Sequence, residues 1–352
     1  MPGDIETRTG GYVYDRRIVA GLRARGWSVD VARFDESFPY PTAEARAEAE
    51  RGFATIPDGT TVVVDGLALG ALPDEIAIHR TRLRIVALVH HPLAAETGLQ
   101  PAIADALRDS ERLALSHARK IVVTSRRTAA SLADYGVLRD RIAVVEPGTD
   151  PAPPARGSQS ALQSTLNNHH STISLLCVAT LTPRKGHEVL LRALASLPAR
   201  NWRLTCAGSV DRDPATASRL RALIRSLDVE ERVTLAGDLD ARQLAAEYDR
   251  SDLFVLPTLY EGYGMAVAEA LARGLPVIST ATGAIPDIVC DDAGIVVPPG
   301  DWAAFGDALA RCLCDEALRE RLADGARRAR TRLPTWDAAA DAMAFVLAHV
   351  DE

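Results

Sequence analysis

The sequence predicts an α/β chain built as two doubly wound domains, on three observations. Short apolar runs alternate with helix-period segments through both halves. Between them, Pro147 to Thr172 loses that pattern and turns rich in proline, serine, asparagine and histidine. The length, 352 residues, allows two cores.

In the first half, a helical pattern through Tyr12, Ile18, Val19 and Leu22 follows Gly10-Gly11 and ends near Gly26. Strands are predicted at Ser28 to Phe34, Thr61 to Val64, Leu83 to His90, Lys120 to Thr124 and Arg141 to Val145. Helices are predicted between them at Thr42 to Phe53, Leu99 to His117 and Arg127 to Tyr135. Apolar strands separated by helices imply a parallel sheet covered on both faces. Ligands of such sheets bind beyond the carboxyl ends of the strands.

The predicted domains are 1–150 and 173–334, with a linker at 151–172 and a last helix at 335–352. His169-His170 in the linker has no carboxylate or cysteine beside it and reads as solvated. The second half predicts strands at Ile173 to Ala179, Trp202 to Ala207, Arg232 to Ala236, Leu253 to Leu256, Pro276 to Ser279 and Gly294 to Val297. Its helices are expected at Gly186 to Leu197, Ala215 to Leu227, Ala241 to Tyr248, Gly262 to Arg273, Asp301 to Cys314, Glu316 to Thr331 and Thr335 to His349.

A net charge of −7 argues against a nucleic-acid partner, which requires a basic face. The basic clusters at Arg16-Arg17 and Arg80 to Arg84 read as solvated faces that could also meet an anionic membrane surface in peripheral contact. Five cysteines show no paired metal spacing, and Cys177, Cys206 and Cys312 fall on predicted core faces as small hydrophobes. A reducing cytoplasm fits that usage. No signal-like apolar region follows Met1, and no run of about 18 apolar residues would span a membrane.

The chemistry concentrates at Tyr260 to Glu269, where the strand ending at Pro257 turns into a helix. Gly262 and Gly264 allow close approach of backbone to a ligand, and a helix start favours an anion. Glu261 and Glu269, eight residues apart, would be about 12 Å apart along a helix at ~1.5 Å per residue. That suits two hydroxyl-bearing ends of one long ligand better than a paired acid and base. Upstream, Pro183-Arg184-Lys185-Gly186-His187 puts cations at a second strand-to-helix turn.

Taken together, the Glu-x7-Glu of Glu261 and Glu269, Glu261-Gly262-Tyr263-Gly264, Lys185-Gly186, Gly10-Gly11-Tyr12 and His90-His91-Pro92 resemble the family 4 glycosyltransferases, across nearly the whole chain. The resemblance implies the GT-B fold: two Rossmann-like domains facing a cleft, with the last helix crossing back to the first. It also implies a retaining, metal-independent transfer from a nucleotide-diphosphate sugar to a small-molecule, glycan or lipid acceptor, with no cofactor. By the family pattern Glu261 contacts donor-sugar hydroxyls, the backbone of Gly262, Tyr263 and Gly264 lies near the sugar and phosphates, and Glu269 holds the ribose hydroxyls. Charge-assisted bonds to a vicinal diol suit a carboxylate.

In the same pattern Lys185 binds phosphate and Leu239 packs on the base. Gly10 and Gly11 pass the donor phosphates or acceptor, and His91 lies near the reacting sugar, with His90 competing and Glu96 a weaker candidate. Many members have an arginine five residues before the lysine. Here that position is Thr180, with Arg184 as the alternative cation. Asp211-x-Asp213 precedes Pro214 and reads as a helix cap rather than a metal motif. A nicotinamide oxidoreductase lacks its Gly-x-Gly-x-x-Gly, and hydrolase motifs are absent as well. A phosphorylase or epimerase of the same fold, and a non-catalytic nucleotide-sugar-binding protein, remain as alternatives.

Residues 1–9 contain a proline and three charges and do not read as a buried strand. The expectation is either a start upstream of Met1 or a first domain without its central first strand, left loose by unpaired backbone.

Overall fold

The computed structural model describes residues 1–155, 172–199 and 201–351. They form two compact units, Met1–Gly148 with Pro334–Glu352, and Thr149–Leu333. Most of the predicted linker, with His169-His170, lies outside the described residues. Its first part is anchored: Ala155 N–H donates to Arg273 O, and Arg330 donates to Ala152 O.

In unit 1, α1 (Gly10–Ala24) and α2 (Ala43–Ala54) precede a parallel sheet of β1 (Thr61–Asp65), β2 (Arg84–Val89), β3 (Lys120–Val123) and β4 (Ile142–Val144), in the order β1-β2-β3-β4. β2 is a near-continuous apolar run, buried from Ile85 to Val89, because helices cover both its faces. Thr9 and Thr42 cap α1 and α2 through their hydroxyls. Helix α3 (Pro73–His79) was not among the predicted elements; α4 (Pro101–His117) and α5 (Arg126–Ser131) were.

The predicted strand at Ser28 to Phe34 does not form. Its residues alternate well enough, but among them only Phe34 forms a β-bridge, a single parallel one to Pro2. Gly3 N–H donates to Phe34 O, and Phe34 N–H donates to Met1 O. Residues 1–9 accordingly contribute no regular strand to the sheet.

The last helix, α13 (Trp336–Ala348), lies on α1, as the resemblance implies. Gly21 makes that approach: a Cβ there would sit 2.5 Å from the Ala340 Cβ. Arg25 bonds Asp341 at 2.5 Å, and Trp336 packs its ring 6.2 Å from that of Tyr14.

Unit 2 carries a six-stranded parallel sheet in the order β10-β9-β8-β5-β6-β7. The strands are β5 (Ile173–Val178), β6 (Trp202–Ala207), β7 (Val233–Gly237), β8 (Leu253–Leu256), β9 (Val277–Thr280) and β10 (Gly294–Val297). The helices are α6 (His187–Ser196), α7 (Pro214–Ser226), α8 (Ala241–Asp249), α9 (Met265–Ala272), α10 (Ile285–Ala293), α11 (Trp302–Cys314) and α12 (Glu316–Ala329). Helix α10 was not among the predicted elements, and its sequence carries Pro286. In the structure the proline occupies the first helical turn, where its missing N–H costs nothing. Asp213 caps α7, accepting from the Thr216 N–H at 2.8 Å and its hydroxyl at 2.6 Å. Cys177, Cys206 and Cys312 are core residues, as expected.

One buried charge in unit 1 sets a pH dependence. Glu111 on α4 is fully buried and accepts the Leu93 N–H at 2.9 Å. Burial raises its carboxyl to about 7, against hydrogen bonds from Leu93 and Tyr135 that lower it. The folded chain therefore holds this proton more tightly than the unfolded chain, whose glutamates titrate near 4.3. The contribution is complete below that value and is lost as pH rises through about 7, a change of roughly 3–4 kcal/mol. We expect thermal stability to fall between pH 5 and pH 8.5 by an increment that Glu111→Gln lacks. Parallel pH profiles of the two proteins' unfolding temperatures would refute this by showing the same slope.

Candidate active site

Two loops at the carboxyl end of the unit 2 sheet form the site. The first follows β5 and runs through Thr182-Pro183-Arg184-Lys185 to Gly186, where the backbone turns left-handed at φ 69° before α6. A Cβ on Gly186 would lie 2.0 Å from Pro257 O, so glycine is required by both space and φ. The second loop, Pro257 to Gly264, follows β8 and enters α9.

Hydrogen bonds tie the loops together. Leu259 N–H donates to Arg184 O at 2.7 Å, and the buried Thr258 hydroxyl lies 2.8 Å from Tyr260 O and 3.2 Å from Arg184 O. The Arg184 guanidinium donates to Tyr260 O at 3.1 Å, so this side chain braces the second loop. On the far side, Thr280 donates to Thr258 O and Ser279 to Leu256 O.

At the centre, Lys185 Nζ meets Glu261 Oε2 at 2.5 Å, each side chain only 15% exposed. The predicted phosphate cation and the predicted sugar-binding carboxylate are thus each other's partner. α9 begins at Met265, three residues later than predicted, because Gly264 holds φ 103° and is the N-cap. Glu261 therefore lies off the helix axis, and the 12 Å spacing inferred for a continuous helix does not apply. Tyr263 is buried against Ala268 and Ala284.

Glu269 stands one turn into α9, half-buried, and accepts a hydrogen bond from Tyr248 at 3.0 Å. Leu239, half-buried, packs on the unit 2 core after β7. Sequence reasoning missed three contributors: Tyr248, Thr258 and Gly283. At Gly283 φ is 49° and a Cβ would lie 2.0 Å from Glu261 O, so this glycine lets a third loop close on the carboxylate's backbone. A Thr-Gly pair after a predicted strand was the available signal. Tyr248 and Thr258 carried none.

Gly10, Gly11, His90, His91 and Glu96 lie in unit 1. The neighbouring histidines diverge. His90 Nε2 lies 3.2 Å from Asp15 Oδ1 and 3.9 Å from Asp65 Oδ2, its ring edge-on to Tyr14. Burial pulls the His90 imidazole down, but Asp15 and Asp65 outweigh it and raise it. Gly11 sits against this ring, since a Cβ there would be 3.4 Å from His90 Cδ2. Gly10 opens α1. His91 Nε2 points instead to Glu96 Oε2, 3.7 Å away.

Two groups among the described residues have metal-ligand chemistry: Asp15, Asp65 and His90, and Cys177, His187 and Cys206. Within each group the donor atoms lie within 4.8 Å of one another. Sequence spacing did not reveal the second because its thiols meet only when β5 and β6 pair in register. Neither group includes Lys185, Glu261 or Glu269.

The two parallel-sheet units and the charged turns at their strand ends define a GT-B type of protein, and comparison with known proteins agrees. The family description "Glycosyl transferases group 1" matches residues 160–329, and "Glycosyltransferase Family 4" matches residues 66–153. The chain belongs to the family 4 glycosyltransferases. Among curated relatives, the D-inositol 3-phosphate glycosyltransferase of Xylanimonas cellulosilytica is 35% identical over 236 residues, covering 65% of this chain and 56% of that protein. The protein of that name from Salinispora arenicola is 32% identical, covering 72% of this chain and 61% of that protein. The chain thus spans less than two thirds of the length of these relatives. In fold it is similar to sucrose-phosphate synthase from Thermosynechococcus elongatus, with TM-score 0.80, 22% identity, and coverage of 97% of this chain and 94% of that one. It is also similar to Anabaena HepE in complex with UDP and glucose, with TM-score 0.76, 16% identity, and coverage of 99% and 98%.

The Gly186 turn carries a test. Gly186→Ala forces a left-handed alanine, costing roughly 1–2 kcal/mol before any clash. Unit 2 should melt roughly 2–8 °C lower, and the loop carrying Lys185 should shift away from Pro257. Unchanged melting by calorimetry would show that the turn relaxes freely.

Proposed function

We propose that the chain transfers a glycosyl group from a nucleotide-diphosphate sugar to an acceptor hydroxyl, with retention of anomeric configuration and without a bound metal. The observation that carries this reading is the Lys185–Glu261 pair at the start of α6, with Glu269 on the neighbouring α9. In this reading the diphosphate takes Lys185 from Glu261 and lies against the N–H groups that open α6. Glu261, released, accepts hydrogen bonds from donor-sugar hydroxyls, and Glu269 accepts them from the ribose. Leu239 packs on the base, and Arg184 acts through the loop it braces. As the glycosidic bond breaks, negative charge grows on the leaving diphosphate, where Lys185 and the helix start stabilise it. A donor phosphate oxygen takes the acceptor proton on the same face, which gives retention.

In this reading Gly10 and Gly11 pass close to the donor phosphates or the acceptor, and His91 lies beside the reacting sugar. HepE's complexes with UDP and UDP-glucose make uridine nucleotides the first donors to test. The relatives' names make D-inositol 3-phosphate the first acceptor. A phosphorylase, an epimerase or a sugar-nucleotide-binding protein would give no acceptor-dependent release of nucleoside diphosphate, and that assay separates a transferase from all three.

Lys185→Ala and Glu269→Ala should each weaken nucleoside-diphosphate binding by roughly 1.5–3 kcal/mol, the worth of one charge-assisted contact. Glu261→Ala should leave diphosphate affinity unchanged or tighter, because Lys185 no longer has to leave a partner, while turnover falls. Calorimetric titration of the three variants checks this, and equal loss in all three would overturn the role assignments.

Chelation should leave most of the activity. If EDTA abolishes turnover and magnesium or manganese restores it, the leaving-group charge is carried by a metal and not by Lys185.

A further inference from the structure

We propose that Tyr248 is a positioning residue for the donor: its phenol orients the Glu269 carboxylate and so makes the site select nucleotides that carry a ribose diol. This rests on the donor-site reading above.

Tyr248 is the penultimate residue of α8, a helix fixed at its start by the reciprocal cap of Asp240 and Gln243. Its side chain is 1% exposed, which makes it one of the largest fully buried groups in the protein. The ring stacks on Phe254 of β8, with centroids 6.1 Å apart and planes at 18°. The Arg273 guanidinium covers the ring 4.9 Å from its centroid and pairs with Asp249 at 3.6 Å. Packing on both faces fixes where the phenol oxygen lies.

That oxygen is 3.0 Å from Glu269 Oε2 and 3.3 Å from Ala266 O. One phenol proton cannot serve both fully, and the carboxylate is the nearer and the charged acceptor. Burial, then the Glu269 charge, raises the phenol well above its ordinary range, so it remains a donor across physiological pH.

For packing alone, phenylalanine would fill the same space without bringing a hydroxyl into the core. Of the hydroxyl's two acceptors, Glu269 is the nearer and the only charged one. A half-buried glutamate otherwise samples several rotamers, and fixing one beforehand lowers the entropy lost on binding a diol.

Tyr248→Phe removes the hydroxyl and keeps the ring. Titrations of the full chain with UDP and with 2′-deoxy-UDP should show wild type preferring UDP. The variant should bind UDP about 5- to 10-fold more weakly and keep its 2′-deoxy-UDP affinity, so the preference narrows. Donor KM should rise by the same factor with kcat nearly constant, and in a Glu269→Ala background the substitution should change neither affinity. Equal weakening for both nucleotides, or an effect that persists in the Glu269→Ala background, would overturn the proposal in favour of a structural role. So would no change at all. Failure of wild type to bind any nucleoside diphosphate would instead remove the donor-site reading, and this inference with it.

Discussion

A lysine and a glutamate 76 residues apart in sequence meet at 2.5 Å in a half-enclosed site, and much of unit 2 is arranged to bring them there. Two charges removed this far from water hold together only where geometry is favourable and neighbouring polar groups are satisfied. Parallel pairing of β5 with β8 puts both strand ends on one edge of the sheet. Gly186, with no Cβ, lets one loop touch the carbonyl of Pro257 in the other. Thr258, Leu259 and Arg184 then bind loop to loop through backbone carbonyls. A change anywhere in this set moves the cation relative to the carboxylate. The site therefore depends on backbone conformation as much as on the charged residues themselves.

The same pair explains how one sequence motif can serve two stages of a reaction. In the donor reading, Lys185 exchanges a carboxylate for a diphosphate, so the binding energy is a difference between two ionic partners. That exchange releases Glu261 only when phosphate has arrived, which ties recognition of the sugar to recognition of the leaving group. Glu269 differs: its partner Tyr248 is neutral and is retained, so it can orient the carboxylate without competing for the ligand.

What the sequence made legible follows the physics of each signal. Buried parallel strands are continuous apolar runs, so β2, β3, β5, β6 and β8 were found within a residue or two. Ser28 to Phe34 carried alternation instead of a continuous apolar run and failed, because a strand needs a neighbour to bond to, and periodicity does not supply one. α10 was hidden by a proline whose meaning depends on helical position, and the start of α9 by a glycine read as helical although it turns left-handed. At the site, Glu261 and Lys185 stood out as charges beside glycines, and Glu269 by its spacing from Glu261. Tyr248 and Thr258 did not, because a tyrosine in an amphipathic helix and a threonine after a strand are common everywhere, and Gly283 was marked only by the Thr-Gly pair after a predicted strand.

His90 and His91 show where local sequence has the least to say. Adjacent residues leaving a strand point in opposite directions, so two identical side chains enter unlike surroundings. His90 enters a pocket of two buried carboxylates under Gly11, while His91 reaches toward the half-exposed Glu96. Burial pulls the His90 imidazole down, and Asp15 and Asp65 outweigh it and raise it, so this ring is tied to its two carboxylates. An imidazole beside one solvated carboxylate is suited to exchange partners when a substrate hydroxyl arrives. The reading of His91 as the histidine near the reacting sugar rests on the family pattern, because no feature of the dipeptide itself distinguishes it from His90.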